Sequence, residues 1–373
     1  MNGNFVRQTS SPDLPPPDLR IGWLRWMREN LFSSWSNGLL TVAALYVLYL
    51  IIPSFVDWTL FSAVFTARDG DACRGSGVGA CWAFVDAKFG QFIYGRYPDP
   101  ERWRVNLTVL LAIAGIAPLL VPSKLPKIWF VAYLLILFPV LAFVLLHGGT
   151  AGLRVVETNE WGGLMVTLVV ALTGIAASLP LGVLLALGRR SDMPVVRILS
   201  IMFIEFWRGV PLITVLFMAS VMLPLFLPEG MTFDKLLRAL IGVALFSSAY
   251  MAEVVRGGLA AVPAGQYEAA KALGLTYWQS MGRIVLPQAL TIVIPGIVNT
   301  FIGLFKDTTL VLIIGLFDLL GIVQANFTDP TWSSPQTATT GYVFAAFVFW
   351  IFCFGMSRYS VFMERRLETD SHR

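Results

Sequence analysis

Long apolar runs without a single charge constrain this chain more than any other feature of its sequence. The stretch from Trp161 to Gly188 holds no Asp, Glu, Lys or Arg, and several other runs approach the same length. A bilayer's hydrocarbon core, about 30 Å thick, needs roughly 20 apolar helical residues per crossing. The chain is 56% hydrophobic and only 13% charged over 373 residues, more apolar material than a soluble core of that size hides. In lipid only helices and closed barrels satisfy every backbone group, and these runs lack the two-residue alternation of a barrel strand. The sequence therefore predicts an all-α polytopic membrane protein.

Eight crossings are expected: Leu39 to Val56, Leu107 to Val121, Ile128 to Leu146, Trp161 to Gly188, Val210 to Leu227, Leu236 to Val255, Ala289 to Phe305 and Gly341 to Met356. Basic residues mark the cytoplasmic side. Arg7, Arg20, Arg25 and Arg28 precede the first crossing, Lys124 and Lys127 sit in a short turn, Arg189, Arg190 and Arg197 follow the fourth crossing, and Arg365, Arg366 and Arg373 close the chain. Both termini are thus expected in the cytoplasm, and the N-terminal stretch reads as a retained tail rather than a secretory signal. The loop holding Glu229, Asp234 and Lys235 falls on the other side. So does the long loop between the first two crossings, whose basic residues are offset by acids within it and weigh little at that length.

The net charge of +4 is scattered between apolar runs rather than gathered on one face, which argues against a nucleic-acid partner. Three cysteines and two histidines, His147 and His372, are too few soft ligands for a haem or zinc centre, so no metal is expected. Cys73 and Cys81 lie eight positions apart in a Gly-rich polar loop and could close a small disulfide in an oxidising compartment. Cys353, in an apolar helix, reads as packing.

Between the sixth and seventh crossings the chain reads Gly-Gln-Tyr-Glu268-Ala269-Ala270-Lys271-Ala272-Leu273-Gly274, then nine residues, then Ile284-Val285-Leu286-Pro287. The pattern fits a helix, a glycine turn and a second helix, with Gly274 releasing the first helix and Pro287 opening the next crossing. Ala269 and Ala270 keep one surface small enough for a partner's close approach. Arg256, Lys271 and Arg283 outnumber Glu268, which places this knob in the cytoplasm. No Gly-x-x-x-x-Gly-Lys-Ser/Thr loop occurs anywhere, so no P-loop on this chain cradles a nucleotide.

The residues from Glu268-Ala-Ala through Gly274 to Ile284-x-Leu286-Pro287 resemble, without departure, the coupling-helix motif of permease subunits in binding-protein-dependent ABC importers. Arg208-Gly-Val-Pro-Leu212, Ala249-Tyr-Met-Ala-Glu-Val-Val-Arg-Gly-Gly258 and Lys306-Asp-Thr-Thr-Leu310 resemble its polar amino-acid branch, and the extra N-terminal crossings resemble the M-type permease of general L-amino-acid importers. The resemblance covers roughly Trp161 to Leu367. It implies a five-helix type I permease core and a division into a cytoplasmic tail over 1–38, three extra helices with a periplasmic Cys loop over 39–147, a core over 148–363 with a coupling segment over 256–287, and a cytoplasmic tail over 364–373. It further implies a location in the bacterial inner membrane, a homologous permease partner forming a heterodimer, two ATP-binding subunits that hold ATP and Mg, and a periplasmic amino-acid-binding protein delivering an L-amino acid. This chain itself would carry no cofactor and no catalytic residue.

Within that frame Glu268, Ala269, Ala270, Gly274, Ile284, Leu286 and Pro287 are the ATPase-coupling candidates, with Glu268 weighed against an ordinary solvated helix acid. Asp307, Thr308 and Thr309 are read as following a transmembrane helix, where an acid suits an α-ammonium and hydroxyls or free amides suit an α-carboxylate; the competing reading is a helix cap. Ser247, Ser248 and Tyr250 could add polar contacts. Glu205 with Arg208, and Glu253 with Arg256, are each spaced by three and are expected as ion pairs of a structural or gating network, Glu253 remaining an alternative sensor of a cationic substrate. Two rival readings compete with that frame: a secondary amino-acid transporter driven by an ion gradient, and a membrane enzyme, which lacks a plausible catalytic group in the bilayer.

Overall fold

The computed structural model describes residues 22–121, 126–150, 152–228 and 233–371. The expectations placed on residues 1–21, Lys124, Glu229, His372 and Arg373 lie outside the described residues. Regular structure among the described residues is helical, apart from three isolated bridges. Seven helices there are long and apolar enough to cross a membrane, or eight if one sharply bent pair makes a single span. The chain is a multi-pass membrane protein.

Packing divides the chain into two units, with the line falling near residue 63. Among the described residues the first unit holds 22–63 together with 77–80. Its main element is α1, Trp35–Val56, started by Ser34, whose hydroxyl accepts the Asn37 amide. No residue of α1 is buried, as suits an apolar helix immersed in lipid.

The second unit contains α2 (Trp82–Tyr94), α3 (Arg102–Leu120), α4 (Lys127–His147), α5 (Gly163–Arg189), α6 (Pro194–Gly209), α7 (Leu212–Phe226) and α8 (Lys235–Ala261). A shorter helix, α9 (Ala264–Ala272), leads to α10 (Leu286–Ile292), α11 (Ile294–Ile314), α12 (Leu319–Ala325) and α13 (Thr337–Ser371). Helices α5 and α8 form the central seam. Apolar burial drives little association inside lipid, so close approach through small residues carries it. A Cβ on Gly182 would lie 2.7 Å from the Met251 Cβ, and one on Gly174 would lie 2.7 Å from Leu304 and 3.0 Å from Val243. The seam admits no side chain at either position.

Two crossings differ from expectation. The fifth, expected at Val210 to Leu227, is instead a pair in which α6 meets α7 at 100°, the chain turning through extended residues Val210 and Pro211. Pro211 excludes its predecessor from helical geometry, and that forces the corner. The seventh is expected at Ala289 to Phe305, but α10 ends at Ile292 and a new helix starts after Val293, with Pro295 in its first turn. The crossing then continues to Ile314, and Asp307, Thr308 and Thr309 lie within it rather than after it. At 1.5 Å per residue Asp307 sits about 20 Å along the span.

Helix α12 begins on Asp318, whose fully buried carboxylate accepts the Gly321 amide at 2.9 Å and the Leu320 amide at 3.3 Å. Burial pushes this carboxyl up to about 6, outweighing the two amide bonds that favour its charged form. The folded state therefore holds the proton more tightly than an unfolded chain, whose Asp titrates near 4, so stability falls as pH rises between about 4 and 6. Asp318→Asn keeps a capping acceptor and removes the titration. Thermal unfolding in detergent from pH 4.5 to 7 is expected to show a loss of about 2 kcal/mol in the native chain and a flatter profile in the variant. Equal slopes in both proteins would contradict the assignment.

Candidate functional site

The knob predicted between the sixth and seventh crossings is built as the sequence suggests. Helix α9 ends in a two-bond glycine stop: the Gly274 amide donates to Lys271 O at 3.0 Å and the Leu275 amide to Ala270 O at 3.2 Å, with Gly274 at φ 72°. Thr276 and Gln279 then cap each other's backbone to start the turn Tyr277–Ser280. Pro287 occupies the first turn of α10, where a missing amide costs nothing. The Gln288 side chain donates to Gln266 at 3.1 Å and ties the two arms together.

The two alanines of the motif face opposite ways. Ala269 is exposed, whereas Ala270 is fully buried, so the expectation that both line a partner surface is corrected. Ala270 packs inward because residues three or four apart share a helix face while adjacent ones do not. Glu268 is exposed and enters no ion pair among the described residues. Ile284 and Leu286 are half-buried beneath the turn, and Pro287 is exposed. The outward surface includes Leu273 at 76% exposure and Trp278 at 70%, large apolar side chains on an otherwise polar projection.

Beside the knob lies an ion-pair network that sequence spacing only half predicts. Glu253 and Arg256 do pair, Arg256 Nε donating to Glu253 Oε2 at 2.9 Å. Glu205 and Arg208 do not. Glu205 accepts from Arg189 Nη1 at 2.9 Å, while Arg208 Nη1 lies 3.7 Å from Glu253 Oε2 with its guanidinium over the Tyr250 ring. Arg189, the last residue of α5, also donates to Glu253 Oε1 at 2.9 Å and so joins α5, α6 and α8. Its charge at a helix C-terminus is doubly favourable. The sequence marks Arg189 only as a topology signal, because its partners lie 16 and 64 positions away. Neighbouring Arg190 reaches the knob, donating to Leu259 O at 2.9 Å and to the Tyr267 hydroxyl at 3.1 Å.

Four candidate hydroxyls of the membrane interior bond back to their own helices. Ser247 donates to Val243 O at 2.7 Å and Ser248 to Ala244 O; Thr308 donates to Phe305 O at 2.8 Å and Thr309 to Lys306 O at 2.9 Å. Each hydroxyl thus satisfies itself on its own helix, as membrane helices commonly arrange. Asp307 is half-buried and has no hydrogen-bond partner among the described residues. Cys73 and Cys81 are joined in a disulfide with Cα atoms 5.7 Å apart, and no group of three or more His, Cys, Asp or Glu suited to a metal ion occurs among the described residues.

Residues 178–369 match the family described as binding-protein-dependent transport system inner membrane component. The inner membrane amino-acid ABC transporter permease protein YhdY of Escherichia coli K12 is 55% identical over 344 residues, covering 92% of this chain and 93% of that protein. The glutamate/glutamine/aspartate/asparagine transport system permease protein BztC of Rhodobacter capsulatus is 41% identical, covering 98% and 99%. A solved amino acid ABC transporter with histidines is similar over 55% of this chain and 92% of its own, at 29% identity and a TM-score of 0.49. The chain is a transport subunit rather than an enzyme, and it belongs to the family of inner membrane components of binding-protein-dependent transport systems.

Proposed function

We propose that this chain is the permease subunit of an ATP-driven L-amino-acid importer, that it receives cargo from a periplasmic binding protein, and that it is driven by a separate ATPase docked on the knob from Glu268 to Leu286. The single observation carrying the ATPase reading is the geometry of that knob. A capped projection exposing Leu273 and Trp278 has the form of an interface anchor, since largely exposed apolar groups clustered on a polar surface mark contact sites. The amino-acid cargo rests on the names of the relatives, both of which are amino-acid permeases or transport systems. Family membership favours this reading over the ion-gradient alternative. In it the knob and both termini face the cytoplasm, ATP and Mg stay on the partner, and a second, homologous permease chain completes the path.

The network around Glu253 then works as a latch at the knob's side of the membrane. Arg189 ends α5 and Arg190 caps it, one holding Glu253 and the other Tyr267 of the knob's first helix. A displacement of the knob would therefore strain the network directly. Three arginines around two glutamates leave one positive charge in excess, so Glu253 is committed to internal pairing, which weighs against its use as a cationic-substrate sensor. Asp307 is the remaining candidate for the α-ammonium, being the one acid of the candidate set without a hydrogen-bond partner among the described residues.

Two outcomes follow. Gly274→Asp and the pair Leu273→Ala with Trp278→Ala are expected to leave membrane insertion intact while reducing substrate-stimulated ATP hydrolysis of the assembled complex at least tenfold; ordinary coupled uptake by both would sink the docking assignment. For the latch, a double-mutant cycle of Arg189→Met and Glu253→Gln, read by thermal unfolding, is expected to give a coupling energy of about 1 kcal/mol, reduced from a buried pair by partial exposure. Additive effects within about 0.3 kcal/mol would show that the pair holds nothing together.

A further inference from the structure

The loop that separates the first two crossings is fastened to the core on two sides. On one side the Gly70 amide donates to Thr331 O at 2.8 Å, and a Cβ on Gly70 would sit 2.8 Å from that same oxygen. Arg74 donates to Ser333 O at 3.0 Å and to Pro330 O at 3.3 Å, Lys88 pairs with Asp329, and the Cys81 amide donates to the buried Thr340 hydroxyl at 2.9 Å. On the other side the Arg96 amide donates to Glu160 O at 3.1 Å and its guanidinium lies 5.2 Å from the centre of the Phe317 ring. Gly163, at φ 65°, approaches so closely that a Cβ there would be 2.3 Å from Phe92 O. Between these two seams α2 buries Phe84 and Phe92 in one apolar cluster with Leu319, Ile322, Trp332 and Ala345.

The element that gains most from this arrangement is α12. Seven residues make a helix that does not persist alone in solution, and its apolar face has Phe84, Phe92 and Trp332 as cover. Its first residue follows Ile314, the end of α11, by only a few positions, through Gly315 at φ 74°. Whatever fixes α12 therefore fixes the end of the span that carries Asp307.

We infer that the disulfide-closed loop and α2 form a clamp that positions α12 and joins the starts of α5 and α13 into one body at the end of the bundle remote from the knob. Helix α5 spans 27 residues, about 40 Å, between Gly163 in this clamp and Arg189 in the latch. A body held at one end transmits a displacement along such a helix instead of absorbing it in loose loops. The inference stands on packing alone and is independent of what the protein carries.

Hydrogen exchange of the full chain in lipid discs, without cargo or nucleotide, tests it. In Lys88→Asp, and separately in Cys73→Ser with Cys81→Ser, exchange across residues 319–336 is expected to quicken at least tenfold while residues 264–292 of the knob region keep their native protection. Adding Asp329→Lys to Lys88→Asp should restore the native pattern. Unchanged exchange at 319–336 in both variants overturns the clamp. So does a rise spread equally over the knob and α5, which would make the loop a general support rather than a positioning element.

Discussion

Everything in this fold depends on how closely α5 and α8 approach. Lipid satisfies no backbone group, so each crossing closes its own hydrogen bonds within a helix, and no sheet or loop supplies cohesion in the membrane. What remains is contact between helix surfaces, and Gly174, Ser178 and Gly182 give α5 a face without bulk. The Met251 Cβ and the Ala252 amide occupy the space a side chain at Gly182 would need. The same device recurs where α8 meets α10, since a Cβ on Gly258 would lie 2.5 Å from Ala289 O. The knob is thus seated on α8 through a glycine, just as α8 is seated on α5.

What the sequence shows and what it hides divide along a physical line. Charge-free runs reveal crossings because the bilayer selects them by composition alone, and glycine and proline reveal the knob because Gly274 and Pro287 act on their own backbone. The corner at Pro211 and the break before Ile294 were within reach of the same reasoning, each being a proline effect on neighbouring residues. Long-range partnerships had no such signal. Arg189 carries the same local signature as any basic residue after a crossing, and nothing near Lys88 points to Asp329, 241 positions away. The i to i+3 rule named Glu253 with Arg256 correctly and Glu205 with Arg208 incorrectly. Helical spacing permits a pair, while the neighbouring helix decides whether it forms.

The candidate site shows the same limit. Thr308 and Thr309 look like ligands in sequence because they follow an acid, yet their hydroxyls bond back to Phe305 and Lys306. Ser247 and Ser248 do likewise on α8. A hydroxyl in a membrane helix has a carbonyl of its own always within reach, so its presence says little about cargo. An acid has no such internal donor, and for that reason Asp307 differs from the four hydroxyls around which it was grouped.

The two ends of the second unit are held by different forces. At the end carrying Gly163 the fastening is a buried apolar cluster with fully buried Phe84 and Phe92, beneath a loop that a disulfide closes on itself; at the end carrying Arg189 it is charge, on side chains between 16% and 55% exposed. Charge pairs at that exposure are worth about 1 kcal/mol or less each and exchange partners without opening a cavity, whereas separating the apolar cluster would expose several large side chains at once. The arrangement gives one end that resists rearrangement and one that permits it. The permissive end is the one that bears the projecting knob, where Arg190 links the last turn of α5 to Tyr267. A helix anchored by packing at its start and by exchangeable charges at its finish can pivot only one way round, and the residues that would feel the pivot first are Glu253 and its three arginines.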